Sequence, residues 1–372
     1  VHRLQFHYTL SRDNTPAQVR NPLIDLLQAV ATGGSISAAA RTLDLSYRHV
    51  WGELKRWEDE LGNELLVWDK GKSARLSEFG AKLMWAERQA QARLAPQIEA
   101  LRADLERAFA VAFDADSHVL TLYASHDDGL AALREHALAW GLDGAGHLHL
   151  DIRFCGSVDA IRALNEGRCA LAGFHTLQRP APGSLAERTY KPLLKPGLHK
   201  IIGFAVRTQG LMVAAGNPLA LRSLHDVQRT QARFVNRALG TGTRVVLDEL
   251  LNQQGLHSAE ILGYGRTEPS HTAVAHAVAS ASADVGLGIA AAAHAQGLDF
   301  VPLVQESYHL VCLKSALEEP AIAALRALLQ TLQWQTTLRQ VGDCVPEQCG
   351  QVQALRRVLP WWDFTKPKKT AV

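Results

Sequence analysis

The stretch GSISAAARTLDLSYRHVWGELKRW, residues 34–57, constrains this chain more than any other part of it. Ser35-Ile36-Ser37 supplies helix-capping residues, and Ser37 to Leu43 then makes a compact helix of small side chains. Asp44-Leu45-Ser46 is a tight turn that leaves Ser46 placed to cap a second helix. That helix, from Tyr47 to about Leu61, carries Val50, Leu54, Trp57 and Leu61 on one face at i, i+3/i+4 spacing. Tyr47, Arg48 and Trp51 start the opposite face, with Lys55 one turn further on. Two short helices joined this way form a helix-turn-helix, whose second helix offers its N-terminal residues to base edges in the major groove. The plainer reading is a helical hairpin within a larger domain. The DNA reading makes Ser46, Tyr47, Arg48, Trp51 and Lys55 the candidate contacts.

The flanks favour DNA. Pro22 opens an amphipathic helix through Leu23, Leu26, Leu27 and Val30, and Gly33-Gly34 ends it. Residues 1–20 alternate weakly and predict a short strand or arm. After Gly62, Leu65 to Trp68 reads as a strand, Asp69-Lys70-Gly71-Lys72-Ser73 as a basic turn, and Ala74-Arg75-Leu76 as the returning strand. A hairpin directly after a recognition helix is a wing, and Lys70 and Lys72 suit phosphate or minor-groove contact. Ser77-Glu78-Phe79-Gly80 then starts a helix running to about Phe109, with Pro96 as its one break signal. Its stripe of Leu83, Ala86, Ala90, Leu94, Ile98, Leu101, Leu105 and Ala108 has no local partner, which predicts an antiparallel dimer contact. A dimer also suits the charge. Residues 1–112 hold 15 Lys/Arg against 14 Asp/Glu, so a single nearly neutral module has little general attraction for phosphates.

A chain of 372 residues suggests two or three domains. Its 47% hydrophobic and 20% charged residues are those of an ordered globular protein. Five cysteines stand singly at 155, 169, 312, 344 and 349, which fits a reducing compartment. No apolar run is long enough to span a bilayer, and the N-terminus has no signal-peptide pattern. The expected location is the cytoplasm, with no membrane partner.

From His118 onward short apolar runs alternate with helical segments. Strands are predicted at 119–124, 147–154, 169–174, 203–206, 211–214, 233–236 and 283–287. Helices are predicted at 127–140, 157–165, 243–254, 272–280 and 289–297, and the tail is read as helical to about Val358. Lys366-Pro367-Lys368-Lys369 reads as disordered. This βα alternation is an α/β architecture.

Four of its strand-to-helix turns are rich in Ser, Thr and Gly. Ser125-His126 follows the first strand, and Cys155-Gly156-Ser157 follows the second. Arg237 to Arg244 contains Thr241, Gly242 and Thr243, and Ser270-His271 precedes the helix from Ala273. Each turn sets hydroxyls and backbone N–H groups at a helix N-terminus, where the dipole favours an anion. Taken singly these are ordinary helix caps. Convergence at the strand carboxyl ends would make a small-anion site from Ser125, His126, Ser157, Arg237, Thr241, Gly242, Thr243, Arg244, Ser270 and His271.

On the run GSISAAARTLDLSYRHVWGELKRWEDELG, then LLV and RLSEFG, residues 21–110 resemble the winged helix-turn-helix and linker helix of ModE, the molybdate-responsive regulators related to the LysR type. Ser46-Tyr47-Arg48-x-x-Trp51 is the most diagnostic part, and the wing departs from the pattern in being short, with one glycine. Residues 118–345 resemble the type II periplasmic-binding-protein fold, in the PBP-like form attached to ModE-type modules and to molybdopterin-biosynthesis proteins. The carrying blocks are FVNRALGTGTRVVLDELL (234–251), HTAVAHAVASASADVGLGIAAAA (271–293), GLDFVPLVQESYHLV (297–311) and GSVDAIRALNEGRCALAGFH (156–175). The loop ASHDDGL is similar to the first binding loop of tungstate-binding proteins.

These resemblances imply a multidomain chain. A winged helix-turn-helix domain (1–76) and a linker or dimerisation helix (77–112) precede a two-lobed α/β periplasmic-binding-protein type II domain (118–345). A C-terminal helix and tail (346–372) follow. They also imply a one-component transcriptional regulator, a homodimer or homotetramer on double-stranded operator DNA, sensing molybdate or tungstate. Arg237, Arg244, His126, His175 and His271 make the pocket more cationic than molybdate sites, so an organic anion such as a pterin or a carboxylate is the alternative effector. A non-regulatory anion-binding module is the other. No cofactor is expected. Nor is an enzyme, because His271 and His276 lack a third ligand nearby, Cys344 and Cys349 lack partners at zinc spacing, and no G-x-S-x-G occurs. Gly240-Thr241-Gly242-Thr243 lacks the Lys-Ser/Thr ending of a phosphate loop.

Overall fold

The structure is a computed structural model that describes residues 21–68, 74–113, 118–125, 127–140, 148–341 and 344–362. The arm, the wing turn with Lys70 and Lys72, His126 and the lysine-rich tail lie outside the described residues. The chain forms two compact units, divided between Ile98 and Glu99.

In the first unit, α1 (Pro22–Gly33), α2 (Ile36–Thr42) and α3 (Tyr47–Leu61) precede the strands β1 (Leu66–Trp68) and β2 (Ala74–Leu76). Each helix starts on a side-chain cap. Asn21 Oδ1 accepts from Leu23 N, Ser35 Oγ from Ala38 N and Ser46 Oγ from His49 N. Gly33 lets α1 and α2 approach, since a Cβ there would lie 2.7 Å from that of Ala38. Val50 and Leu54 are buried with Leu27, Val30, Ile36 and Ala39, and Trp57 and Leu61 pack at the edge of that cluster. β1 and β2 pair antiparallel, and α4 (Glu78–Phe113) follows as one continuous helix.

The second unit is built on a mixed sheet. Its lobe I strands are β3 (His118–Ala124), β4 (Leu148–Phe154) and β5 (Leu171–Leu177), and its lobe II strands are β7 (Phe234–Arg237), β8 (Thr267–Glu268) and β9 (Val285–Ile289). Two 15-residue strands, β6 (His199–Val213) and β10 (Asp299–Leu313), run through both lobes. The order is β4-β3-β5-β10-β6-β9-β7-β8. β10 pairs with β5 over residues 306–311, whereas β6 pairs with β9 over 209–213. Each lobe is covered on both faces. α5 (Asp128–Trp140), α12 (Pro320–Gln330) and α13 (Leu332–Gln340) lie on one face of lobe I, and α6 (Ser157–Asn165) and α7 (Leu185–Tyr190) lie on the other. Lobe II has α8 (Leu224–Thr230) and α9 (Gly242–Gln253) on one side, α10 (His271–Ala279) and α11 (Ala290–Ala295) on the other.

Two sequence readings are corrected here. The separate strands at 203–206 and 211–214 are one strand, β6, because Arg207 and Gln209 are buried in the pairing instead of turning out to solvent. The tail after 345 is not a plain helix. β11 (Val345–Pro346) and β12 (Val352–Ala354) pair with β6. Leu355, Leu359 and Trp361 join the lobe I core around α14 (Leu355–Val358), so this domain extends past 345.

Candidate functional site

Side chains two apart on a strand share a face, and at the crossing of β6 and β10 that face is polar. Arg207 lies directly across from Glu306, its Nε donates to Glu306 Oε1, and its Nη1 donates to Asp127 Oδ2. The other Asp127 oxygen caps α5 by accepting from Leu130 N at 3.2 Å. Gln209 Nε2 donates to Glu306 Oε1 at 2.8 Å and to Thr243 Oγ1 at 3.3 Å. Thr243 Oγ1 in turn lies 3.3 Å from His271 Nε2. On the β5 side, His175 stacks on Tyr308 with ring centroids 3.9 Å apart, and its Nδ1 is 3.5 Å from Glu306 Oε1. Helix starts from both lobes are thus tied to the crossing strands.

The lobes also touch around these groups. A Cβ on Gly242 would lie 2.6 Å from His175 Cβ, and one on Gly156 would lie 2.7 Å from the Gly240 carbonyl oxygen. The N-termini of α9 and α6 meet there. Gly156 caps α6 without a side-chain bond, and the buried hydroxyls of Ser125 and Ser157 face each other at 3.5 Å.

The predicted site residues therefore divide. Ser125, Ser157, Gly242, Thr243 and His271 stand at the crossing. Thr241 and Ser270 spend their hydroxyls on their own helices, accepting from Arg244 N and Ala273 N. Arg244 is held by its own neighbours, its Nη1 donating to the Arg237 carbonyl oxygen at 3.5 Å. Its Nε donates to Asp248 and to Tyr264 Oη at 3.2 Å, and its guanidinium lies 4.0 Å from the centre of the Tyr264 ring. Arg237 differs. It is 2% exposed, and its Nε and Nη1 have no hydrogen-bond partner among the described residues. Burial, then the charge of Arg207, pull its pKa down to about 10, while Glu306, Asp127 and Asp128 act in the opposite sense.

Sequence reading missed Arg207, Gln209, Glu306 and Tyr308. A signal was there: an Arg or Glu within each of two largely apolar runs, GFAVRTQGLMV and FVPLVQESYHLV. Charge buried inside a strand needs a partner. Burial works against ionisation of Glu306, yet Arg207 and His175 hold its pKa well below the usual carboxylate range. Burial also pushes the Tyr308 phenol up and the His309 imidazole down to about 3, leaving both neutral.

In the first unit, Tyr47 and Trp51 are 50% and 43% exposed, with Arg48 exposed beside them on the outer face of α3. Lys55 shares that face, but its ammonium lies 2.6 Å from Glu58 Oε2. Glu58 Oε1 accepts from Leu65 N at 2.8 Å and Leu66 N at 3.2 Å. The second helix is thereby fastened to the first wing strand.

Residues 142–330, just over half of the chain, match the PBP superfamily domain, and the chain belongs to that family. Residues 23–81 match the bacterial regulatory helix-turn-helix proteins of the lysR family, so a LysR-type helix-turn-helix precedes the PBP-like domain. The uncharacterized protein YvgK of Bacillus subtilis (strain 168) is 31% identical over 200 residues, 54% of this chain and 64% of YvgK, so the chain spans less than two thirds of that relative. Among solved structures, a peroxide-bound variant of OxyR from Corynebacterium glutamicum aligns with TM-score 0.45 and 16% identity over 86% of this chain and 94% of that one. Full-length CbnR in complex with its target DNA aligns with TM-score 0.38 and 16% identity over 86% and 98%. Among the described residues no single helix is long and apolar enough to cross a membrane.

Proposed function

We propose that this chain is a DNA-binding transcriptional regulator, not an enzyme, acting in the cytoplasm where its operator lies. Its PBP-like domain takes a small effector bearing an anionic group between the two lobes. The observation that carries the DNA half is the exposed Tyr47-Arg48-Trp51 face, on the second helix of a region matching the lysR-type motif. Base edges are read from that position in such motifs. Arg48→Ala, compared with the parent chain on an operator obtained by selection from random DNA, should weaken binding about tenfold while melting unchanged. Equal affinity would remove α3 as the recognition helix. A non-regulatory anion-binding module would select no DNA sequence at all.

Homodimerisation is proposed through α4, on which Leu94 and Leu101 are 43% and 62% exposed. Leu101→Glu should convert a dimer seen by sedimentation into a monomer, and a chain sedimenting as a monomer before substitution would end that reading. For the effector, the resemblance to ModE favours molybdate or tungstate. A second reading, an organic anion, is favoured by free hydrogen-bond acceptors at the strand crossing: Glu306 Oε2 and Gln209 Oε1 have no partner among the described residues.

A further inference from the structure

We propose that the ligand of the interlobe cleft is a small organic molecule carrying an N–H donor next to its anionic group, with a net charge near zero, and not an inorganic oxyanion. This rests on reading the cleft as the effector site.

Two independent features of the crossing support it. The first is the kind of polar atom left over. Arg237 Nε and Nη1 and the Tyr308 hydroxyl can donate, while Glu306 Oε2 and Gln209 Oε1 can only accept, and none has a partner among the described residues. Glu306, Gln209 and Tyr308 belong to one cluster, and Arg237 feels the charges of Arg207, Glu306 and Asp127. Glu306 Oε1 is bonded to both Arg207 and Gln209, and the Arg207 guanidinium lies 5.9 Å from the centre of the Tyr308 ring. A site for a tetrahedral oxyanion needs donors only. Here the oxygens of such an ion would face those of Glu306 and Gln209, whereas an amino or amide N–H satisfies them and an adjacent carboxylate satisfies Arg237.

The second is the charge balance. Arg207 and Arg237 stand against Asp127 and Glu306, with Arg244 offset by Asp248. Counted over these six side chains, the charges sum to zero before any ligand enters. A dianion enclosed there would add two negative charges to a set that already cancels. A zwitterion adds no net charge, and an uncompensated buried charge is the costlier outcome.

The test is thermal shift and calorimetry on the full-length chain with matched pairs: propionate and alanine, benzoate and anthranilate. Molybdate, tungstate, sulfate and phosphate run beside them. In at least one pair the amino-bearing member should raise the melting temperature and bind about tenfold or more tighter than its partner, because the partner leaves a buried acceptor unpaired. Glu306→Gln should shrink that ratio. Gln209→Leu serves the same purpose if the unliganded melt shows Glu306→Gln to be misfolded. An oxyanion that stabilises as well as the best organic compound, or a carboxylate that binds as well as its amino counterpart, overturns the donor requirement and leaves the effector site standing. If no compound shifts the melt while operator binding is intact, the small-effector reading of the cleft falls and this inference with it.

Discussion

Arg237 combines full burial with a cationic neighbour and no hydrogen-bond partner for two of its nitrogens among the described residues. Burial and then Arg207 hold its pKa near 10 against the usual 12.5, which corresponds to about 3 kcal/mol of stability withheld at neutral pH. The sign follows from the direction. The unfolded chain binds the proton more tightly, so the penalty is complete below pH 10 and fades as pH rises from there toward 12.5. An unbranched apolar side chain of similar length should remove it. Arg237→Met is therefore expected to raise the melting temperature of the unliganded chain, and its unfolding free energy in urea at pH 7 by roughly 1–3 kcal/mol, while abolishing the shift given by a carboxylate-bearing ligand. A variant less stable than the parent would mean that Arg237 is paired in solution. Sequence reading placed both Arg237 and Arg244 in the site and could not separate them. What separates them is Tyr264, far enough along the chain that only folding brings it under Arg244.

Elements were legible wherever local chemistry decides them. The caps at Ser35 and Ser46, the apolar face of α3 and the start of α6 at Ser157 stand where the spacing puts them. β6 was not legible as one strand, because Arg207-Thr208-Gln209-Gly210 resembles a turn unless Glu306, 99 residues away, is known to lie opposite. Two junctions between elements can be tested. Glu58 accepts from Leu65 N, Leu66 N and Lys55, so Glu58→Ala should leave two backbone donors at the entry to β1 without their carboxylate. The expected cost is about 1–3 kcal/mol in the unfolding of the helix-turn-helix unit, with weaker operator binding. Burial raises the Glu58 pKa, but Lys55 and the two N–H groups outweigh it, so the folded value lies below 4.5. The stabilisation is thus present above pH 4.5 and lost as pH falls through the folded value. In acid, the gap between parent and variant should close, and a gap that stays constant would count against the carboxylate. At the α9 start, Gly242→Ala adds a methyl against His175. Because alanine suits a helix, the lobes should be held apart without loss of α9. Ligand affinity should fall about tenfold or more with a small change in unliganded melting, whereas retained affinity would show that the two lobes need not meet there.

At the scale of the whole chain, the sequence made plain that there are two kinds of domain. It left open what passes between them, because coupling is a free-energy difference between states and leaves no residue pattern of its own. α4 is one helix shared by both units, and a ligand that draws α6 and α9 together acts on strands β6 and β10, which run through both lobes. If that closure changes operator affinity by some factor, thermodynamic linkage requires operator DNA to change effector affinity by the same factor, typically between about 5 and 150. The compound giving the largest thermal shift in the panel above is the probe. Operator affinity is measured with and without a saturating amount of it, and its own affinity by calorimetry with and without saturating operator. The two ratios should agree within error, and Gly242→Ala should bring both toward one together. Operator affinity that responds while effector affinity does not would mean that the compound acts on DNA binding from a second site. If both affinities ignored the other ligand, the cleft would bind without regulating, and the chain would be a DNA-binding protein whose PBP-like domain is not its sensor.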